Sequence, residues 1–245
     1  MIKYGVVIQA RMGSSRRPGK ISHLIEGFEM LRLQLERLKS NGINNIFVAT
    51  SDKKEDDITQ ALAEKSEIKC FRGSETNLIR RFYDTCQSYN IQNMVRVGGD
   101  DPLIDPGCIS ALISAHATKP ADFIYASHRT GWIYGTAAEL ISIKVLEEAI
   151  KDSLDDVQKE HTVPYIKGNN KFSQYKISPN EDSLIRPDIY VSVDYNEDIK
   201  LIEDICHFFS KKEKLFTFSQ SELIDLYDSG EIIIGNKHLH SGFDE

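Results

Sequence analysis

Short apolar, β-branched runs alternate with amphipathic stretches through the first half of this chain, and that rhythm constrains the fold more than any other feature. Val6-Val7-Ile8 (within residues 4–10), residues 46–50, 69–72, 94–97 and 123–126 read as strands. Between them, residues 30–41 carry Leu31, Leu35 and Leu38 at helical spacing and stop at Gly42. Residues 56–66 place Ile58, Ala61 and Leu62 on one helical face, and residues 77–89 and 106–117 complete the helical set. This alternation predicts an α/β fold with a mostly parallel central sheet and helices on both faces. Ligands of such sheets bind outside the carboxyl ends of the strands.

Three loops fall on that rim. The first strand empties into Gln9-Ala10-Arg11-Met12-Gly13-Ser14-Ser15-Arg16-Arg17-Pro18-Gly19-Lys20. Glycines let backbone N–H groups approach an anion, and Arg11, Arg16, Arg17 and Lys20 neutralise it, so the loop suits a polyphosphate. It is not a Walker A loop, because Gly13 and Gly19 are six positions apart and Ile21 follows the lysine. The second strand ends at Ser51-Asp52, and the strand at 94–97 ends at Gly98-Gly99-Asp100-Asp101-Pro102. Acids at a strand end, facing phosphate-binding cations, are the usual means of holding Mg²⁺ on a triphosphate. Asp105 before Pro106 fits a helix cap followed by the first helical position. Arg72 and the Arg80-Arg81 pair form a second cationic set, and a helix lets only one of that pair face the site.

The 245 residues carry a net charge of −7, which argues against a duplex nucleic-acid partner and makes the cation cluster a local anion site. No apolar run approaches a membrane span, so no membrane role is expected. Cys70, Cys86, Cys108 and Cys206 contain no C-x-x-C pair and no secretory signal is visible, which points to reduced thiols in a cytoplasmic protein.

Beyond residue 127 the pattern loosens. Residues 129–135 are aromatic and punctuated by glycine, suggesting a flap; residues 145–151 read as a helix, 171–177 and 189–193 as strands, and 199–209 as a helix. The expected organisation is one domain over residues 1–230, a protruding central excursion at 127–180, and an irregular tail at 231–245. Asp194 closes the strand at 189–193, either as a helix cap or as a second metal ligand facing Asp100. Glu160-His161 is the best histidine-centred segment. His238 and His240 alternate in the tail without a third partner, which is too sparse for zinc.

Four strings carry a resemblance: IQARMGSSRRPGK (8–20), VRVGGDDPLID (95–105), EHTVPYI (160–166) and VSVDYNED (191–198). Together they resemble the sugar cytidylyltransferases of the acylneuraminate type, nearest the branch of spore-coat polysaccharide biosynthesis proteins, with the CMP-sialate and CMP-Kdo synthetases as more distant relatives. The resemblance implies a Rossmann-like nucleotidyltransferase fold that binds CTP and Mg²⁺, transfers CMP to a sugar acid, and releases pyrophosphate. It implies a homodimer as well. Arg11, Arg16, Lys20, Asp100 and Asp194 would be catalytic, the two aspartates holding Mg²⁺. Ala10, Arg11, Met12, Gly13, Ser14, Ser15, Arg16, Lys20, Ser51, Asp52, Arg72, Arg81 and Gly99 would contact nucleotide; Glu139, His161 and Arg186 would meet the acceptor. The chain departs from the family pattern at Arg17, Phe28, Asn77 and Ala137. Two rival readings stand beside this one: a glycosyltransferase that uses a nucleotide sugar, and a catalytically altered member that binds nucleotide. Four cations in the first loop suit a triphosphate better than a diphosphate sugar.

Overall fold

Strand β1 (Ile2–Gln9) alternates Val6 and Ile8 on one face with Val7 on the other, and all three are buried. A strand buried on both faces needs helices above and below it. The structure is a computed structural model and describes residues 1–13, 17–152 and 154–240, with Lys237 described by its backbone alone.

β1 pairs in parallel with β4 (Ile46–Ser51) on one side and β6 (Ile91–Gly98) on the other. The sheet runs β5 (Lys69–Gly73), β4, β1, β6, β8 (Glu139–Ser142), β7 (Phe123–Tyr125), β9 (Gln174–Lys176), and only β8 runs against the rest. Gln9 lies level with Ala49 and with Gly98, so the loops after β1, β4 and β6 leave from one rim, as the strand pattern requires. A two-stranded hairpin, β2 (Leu24–Ile25) and β3 (Phe28–Glu29), sits apart from the sheet; Glu26 and Gly27 form its turn at φ 50° and 79°, the left-handed pair a tight hairpin demands.

The helices are α1 (Met30–Ser40), α2 (Asp57–Lys65), α3 (Leu78–Ser88), α4 (Pro106–Thr118), α5 (Ile143–Ala149), α6 (Asp156–Glu160), α7 (Thr162–Lys167), α8 (Asn196–Lys211) and α9 (Gln220–Ser229). Val6, Ile8, Val48 and Val97 pack with α1, α4, α8 and α9; Val7, Phe47, Ala49 and Met94 pack with α3, α5 and α7. Among the described residues no helix is long and apolar enough to cross a membrane.

Three local expectations are corrected. On α2 the buried face is the i, i+3, i+4 stripe of Thr59, Leu62 and Ala63, while Ile58 and Ala61 are exposed; the Thr59 hydroxyl donates to buried Asp56 at 3.0 Å on that inner side. Residues 189–193 form no strand of the sheet. They run extended beside residue 134, exchanging backbone bonds with Tyr134, and Val193 donates to the Asp100 carbonyl at 2.8 Å. Gly135 permits that approach: a Cβ there would lie 2.5 Å from the Ser192 nitrogen, and its φ of 92° favours glycine. Part of the stretch at 127–180 lies within the sheet as β8 and β9, and Trp132 and Ile133 are buried in the core. Their apolar side chains gain more from that burial than from a projecting loop.

Candidate active site

The rim opens into a cleft of about 680 Å³, lined at its base by Gln9, Ala10, Gly99, Lys20, Asp100 and Asp194 and at its walls by Arg11, Arg81, Glu75, Asp156, Glu160 and His161. β1 delivers Gln9 and Ala10, and β6 delivers Gly99. The two loops touch so closely that a Cβ on residue 99 would lie 2.7 Å from the Gln9 carbonyl oxygen and 2.9 Å from the Ala10 Cβ. Only glycine fits, and its N–H donates to that same carbonyl at 2.8 Å.

Lys20 is the centre of the cleft. It opens a 3-10 turn (Lys20–Ser22) after Gly19, whose φ of 75° turns the chain inward, and it is only 8% exposed. Its Nζ donates to the Val193 carbonyl at 2.6 Å, to Asp100 Oδ2 at 3.1 Å and to Asp194 Oδ1 at 3.5 Å. Two carboxylates 94 positions apart in sequence thus converge on one ammonium. Their oxygens fit a hard divalent cation, which takes one or two carboxylates and completes its shell with water and phosphate. Among the described residues no third carboxylate, histidine or cysteine joins them to make a metal cluster of protein side chains alone.

Each aspartate is held from behind. Gln34, buried on α1, donates from Nε2 to the carbonyls of Gly98 (2.7 Å) and Asp101 (2.8 Å), fixing the turn that carries Asp100. Burial, and then the charge of Asp100, pushes the Asp101 carboxyl up to about 8. Tyr190 donates its hydroxyl to Asp194 Oδ2 at 3.1 Å. Asp105 caps α4, accepting from the Gly107 and Cys108 nitrogens at 2.9 and 3.2 Å.

On the wall, Arg81 is buried and gives Nη1 to the Ser74 carbonyl at 2.9 Å, while its Nε has no partner among the described residues. Burial, and then the nearby charge of Arg11, lowers its guanidinium to about 10. Two guanidiniums kept close, one with a spare donor, form a site prepared for an anion. Arg80 points away and pairs with Asp84, so the helix resolves the pair as expected. Arg11 also reaches Glu160 at 3.3 Å.

Of the residues singled out by sequence, Ala10, Arg11, Gly13, Lys20, Arg81, Gly99, Asp100, His161 and Asp194 line the cleft. Met12 instead anchors the loop: its N–H donates to Asp56 Oδ1 at 2.6 Å. Ser14, Ser15 and Arg16 lie outside the described residues. Ser51, Asp52 and Arg72 do not line the cleft. Ser51 donates to Asp56, the Asp52 N–H bonds the Gly73 carbonyl, and Arg72 spends its fork on Asp57, Gln60 and the Ser51 and Lys53 carbonyls. Together they build the entrance to α2. Glu139 and Arg186 are elsewhere too: Glu139 pairs with Arg96 at 2.7 Å within the sheet, and Arg186 with Asp188 and Asp228 at 2.8 and 2.7 Å. Opposite charge close at hand satisfied them locally.

Sequence reading missed Gln9, Glu75, Thr76 and Asp156 in the lining and Gln34, Asp56 and Asp198 behind it. Gln34 had a signal, being a polar residue on the Leu31–Leu38 face of α1. Three of the four family departures have structural partners. Asn77 caps α3, accepting from the Arg80 nitrogen at 2.9 Å; Phe28 packs edge-on against Phe216 at 5.1 Å; Arg17 bonds Asn196.

A mostly parallel sheet whose rim carries paired acids and a basic loop suits a nucleotidyltransferase. Residues 5–233 match the Cytidylyltransferase family, and the chain belongs to it. It is therefore a CTP-dependent nucleotidyltransferase, which sets aside the glycosyltransferase reading. The chain is 28% identical to the spore coat polysaccharide biosynthesis protein SpsF of Bacillus subtilis (strain 168), over 90% of this chain and 92% of that one. A cytidylyltransferase structure from Leptospira borgpetersenii superposes with a TM-score of 0.87 at 31% identity, covering 96% of this chain and 98% of its own. The 3-deoxy-manno-octulosonate cytidylyltransferase of Alteromonas mediterranea is 34% identical over 49% of this chain and 48% of its own.

Proposed function

We propose that this enzyme transfers CMP from CTP to a sugar acid in a Mg²⁺-dependent reaction that serves surface polysaccharide assembly. The observation that carries the reading is the Lys20 ammonium lying between Asp100 and Asp194 at 3.1 and 3.5 Å. Asp100 and Asp194 would hold the ion, which when bound neutralises phosphate charge and makes the α-phosphorus more electrophilic.

The remaining work belongs to the protein's own groups. Arg11, Arg81 and Lys20 orient the triphosphate and stabilise charge on the departing pyrophosphate. An acceptor hydroxyl attacks the α-phosphorus in line, giving its proton to a carboxylate of the cleft, and the new P–O bond forms as the bond to the bridging oxygen breaks and pyrophosphate leaves with that electron pair. The acceptor enters beside His161, Asp156 and Glu160, which line the cleft where Arg11 meets Glu160. The names of the octulosonate and spore-coat relatives support the sugar acid and the polysaccharide context. Phe28, Asn77 and Ala137 stand outside the cleft lining, which favours an active enzyme over an altered binding member.

The test is pyrophosphate release from each of four nucleoside triphosphates against a panel of 2-keto-3-deoxy sugar acids, with and without Mg²⁺. CTP-selective, Mg²⁺-dependent turnover with at least one sugar acid is expected. CTP binding without turnover across the panel would return the reading to a nucleotide-binding member.

A further inference from the structure

We propose that residues 231–240 form a strap that positions Asp194, with Asn236 and His240 as positioning residues for the metal–nucleotide site; this rests on the assignment of Asp194 as a metal ligand. The link is Asp198, which is fully buried in the first turn of α8. Its Oδ2 accepts the backbone N–H groups of Asp194 at 2.9 Å and Tyr195 at 2.7 Å. Its Oδ1 faces the strap, accepting Asn236 Nδ2 at 2.9 Å and bonding His240 Nε2 at 2.8 Å.

The strap also reaches the other side of Asp194. Asn236 Nδ2 donates to the Tyr190 carbonyl at 3.1 Å, and the Tyr190 hydroxyl donates to Asp194 Oδ2. The His240 ring stacks on Tyr190 with centroids 3.3 Å apart and planes 10° apart, and Tyr190 stacks in turn on Tyr134 at 4.2 Å. The main chain of Asp194 is thus fixed through Asp198, its carboxylate through Tyr190, and both are fixed by the same strap.

A helix cap alone does not explain the arrangement. An acid at the third helical position needs only to reach back to the cap N–H, which Oδ2 does. The two further donors on Oδ1 come from residues 38 and 42 positions away, both buried, at 1% and 8% exposure. A buried carboxylate stripped of donors rotates to find others or draws in water. Either change would release the Asp194 N–H and let the ligand wander. Groups that orient a metal ligand from behind typically govern metal affinity by about 10–100-fold.

The experiment compares wild type with Asn236→Leu, His240→Leu and His240→Gln, the last keeping a side-chain N–H donor. Mn²⁺ binding is read by electron paramagnetic resonance in the presence of a non-reactive CTP analogue. Binding of the analogue without metal, and the Mg²⁺ concentration for half-maximal pyrophosphate release, are measured beside it. Both leucine variants should bind Mn²⁺ about tenfold more weakly and need about tenfold more Mg²⁺, with metal-free binding of the analogue within about twofold of wild type. His240→Gln should recover Mn²⁺ affinity to within about threefold. Unchanged Mn²⁺ binding in the leucine variants, or an equal loss with and without metal, overturns the strap. Should Asn236→Leu fail to fold, the His240 pair decides alone. A wild type that binds no Mn²⁺ with the analogue overturns the metal reading itself, a result distinct from failure of the strap.

Discussion

Replacing Lys20 by methionine is the most informative single perturbation, because it predicts effects of opposite sign on two measurements. Methionine keeps the buried aliphatic stem and removes only the ammonium, along with its bonds to Val193, Asp100 and Asp194. At an effective dielectric of about 20, one unit pair at that separation has a gross attraction of about 5 kcal/mol. Most of this is offset by the cost of burying the ammonium, and Asp100 keeps contact with water at 38% side-chain exposure. The loss of folding stability should therefore be about 1–2 kcal/mol, a Tm drop of about 2–8 °C for a chain of this length.

Catalysis weighs the same group differently. Negative charge on pyrophosphate grows as the reaction proceeds, and a fixed cation there stabilises the transition state more than the ground state. Removing one such group costs about 10²–10³-fold in kcat, or about 3–4 kcal/mol. Yet Mn²⁺ binding to the nucleotide-free protein should tighten by about tenfold, since two carboxylates would no longer share an ammonium. Coupled pyrophosphate-release kinetics and paramagnetic titration read the two effects. A kcat/KM within about threefold of wild type would refute the catalytic role, and weaker Mn²⁺ binding would refute the placement of the ammonium between the acids.

Gly99→Ala forces a Cβ to within 2.7 Å of the Gln9 backbone; it should cost about 1–3 kcal/mol by thermal melt and most of the activity. Asp100→Asn should lower Mg²⁺-dependent turnover by at least about 100-fold, whereas Asp105→Ala should cost about 1 kcal/mol of stability for its lost cap and leave kcat within about threefold. The reverse pattern in a Mg²⁺ titration would exchange the two roles. For Glu29, burial disfavours the charge, but hydrogen bonds from Lys65 and Arg32 at 2.9 Å outweigh it and hold the carboxyl at about 2. A folded value below the unfolded one contributes stability that is present above about pH 4.5 and lost as pH falls toward 2. Glu29→Gln should thus lose about 1–2 kcal/mol at pH 7, discounted for solvent at Lys65, and almost nothing at pH 2 in urea melts.

What the sequence made legible, and what it did not, divides by whether a residue's partner is local. Alternation of apolar runs is a local signal, and the presence and approximate bounds of β1, β4, β5, β6 and α1–α4 follow from it, although the face that α2 buries does not. Asp105 and Asn77 are local in the same sense, one reading as a cap before proline and the other opening a helix. Residues 189–193 have the composition of a strand, but hydrogen bonding is decided by the neighbour, and Tyr134 together with the close approach at Gly135 takes the segment out of the sheet. Arg72, Glu139 and Arg186 have the chemistry of ligand-binding groups, yet each found a countercharge closer than the cleft.

The base of the cleft was legible for a reason beyond motif matching. A parallel sheet sends the ends of the neighbouring strands β1 and β6 to one rim, and the turn at Gly19 then carries Lys20 inward to Asp100. Asp194 reaches the same point by another route: its extended approach is tied to the Asp100 carbonyl through Val193, and its helix begins under Asp198. No periodicity in the sequence announces Asn236 or His240, because their role depends on a path after α9 that brings both side chains to Asp198 at the start of α8. A buried acid demands donors whatever their distance along the chain. The residues that aim Asp194 were therefore fixed by the accounting of buried polar atoms, a constraint visible only once Asp198 is known to be buried.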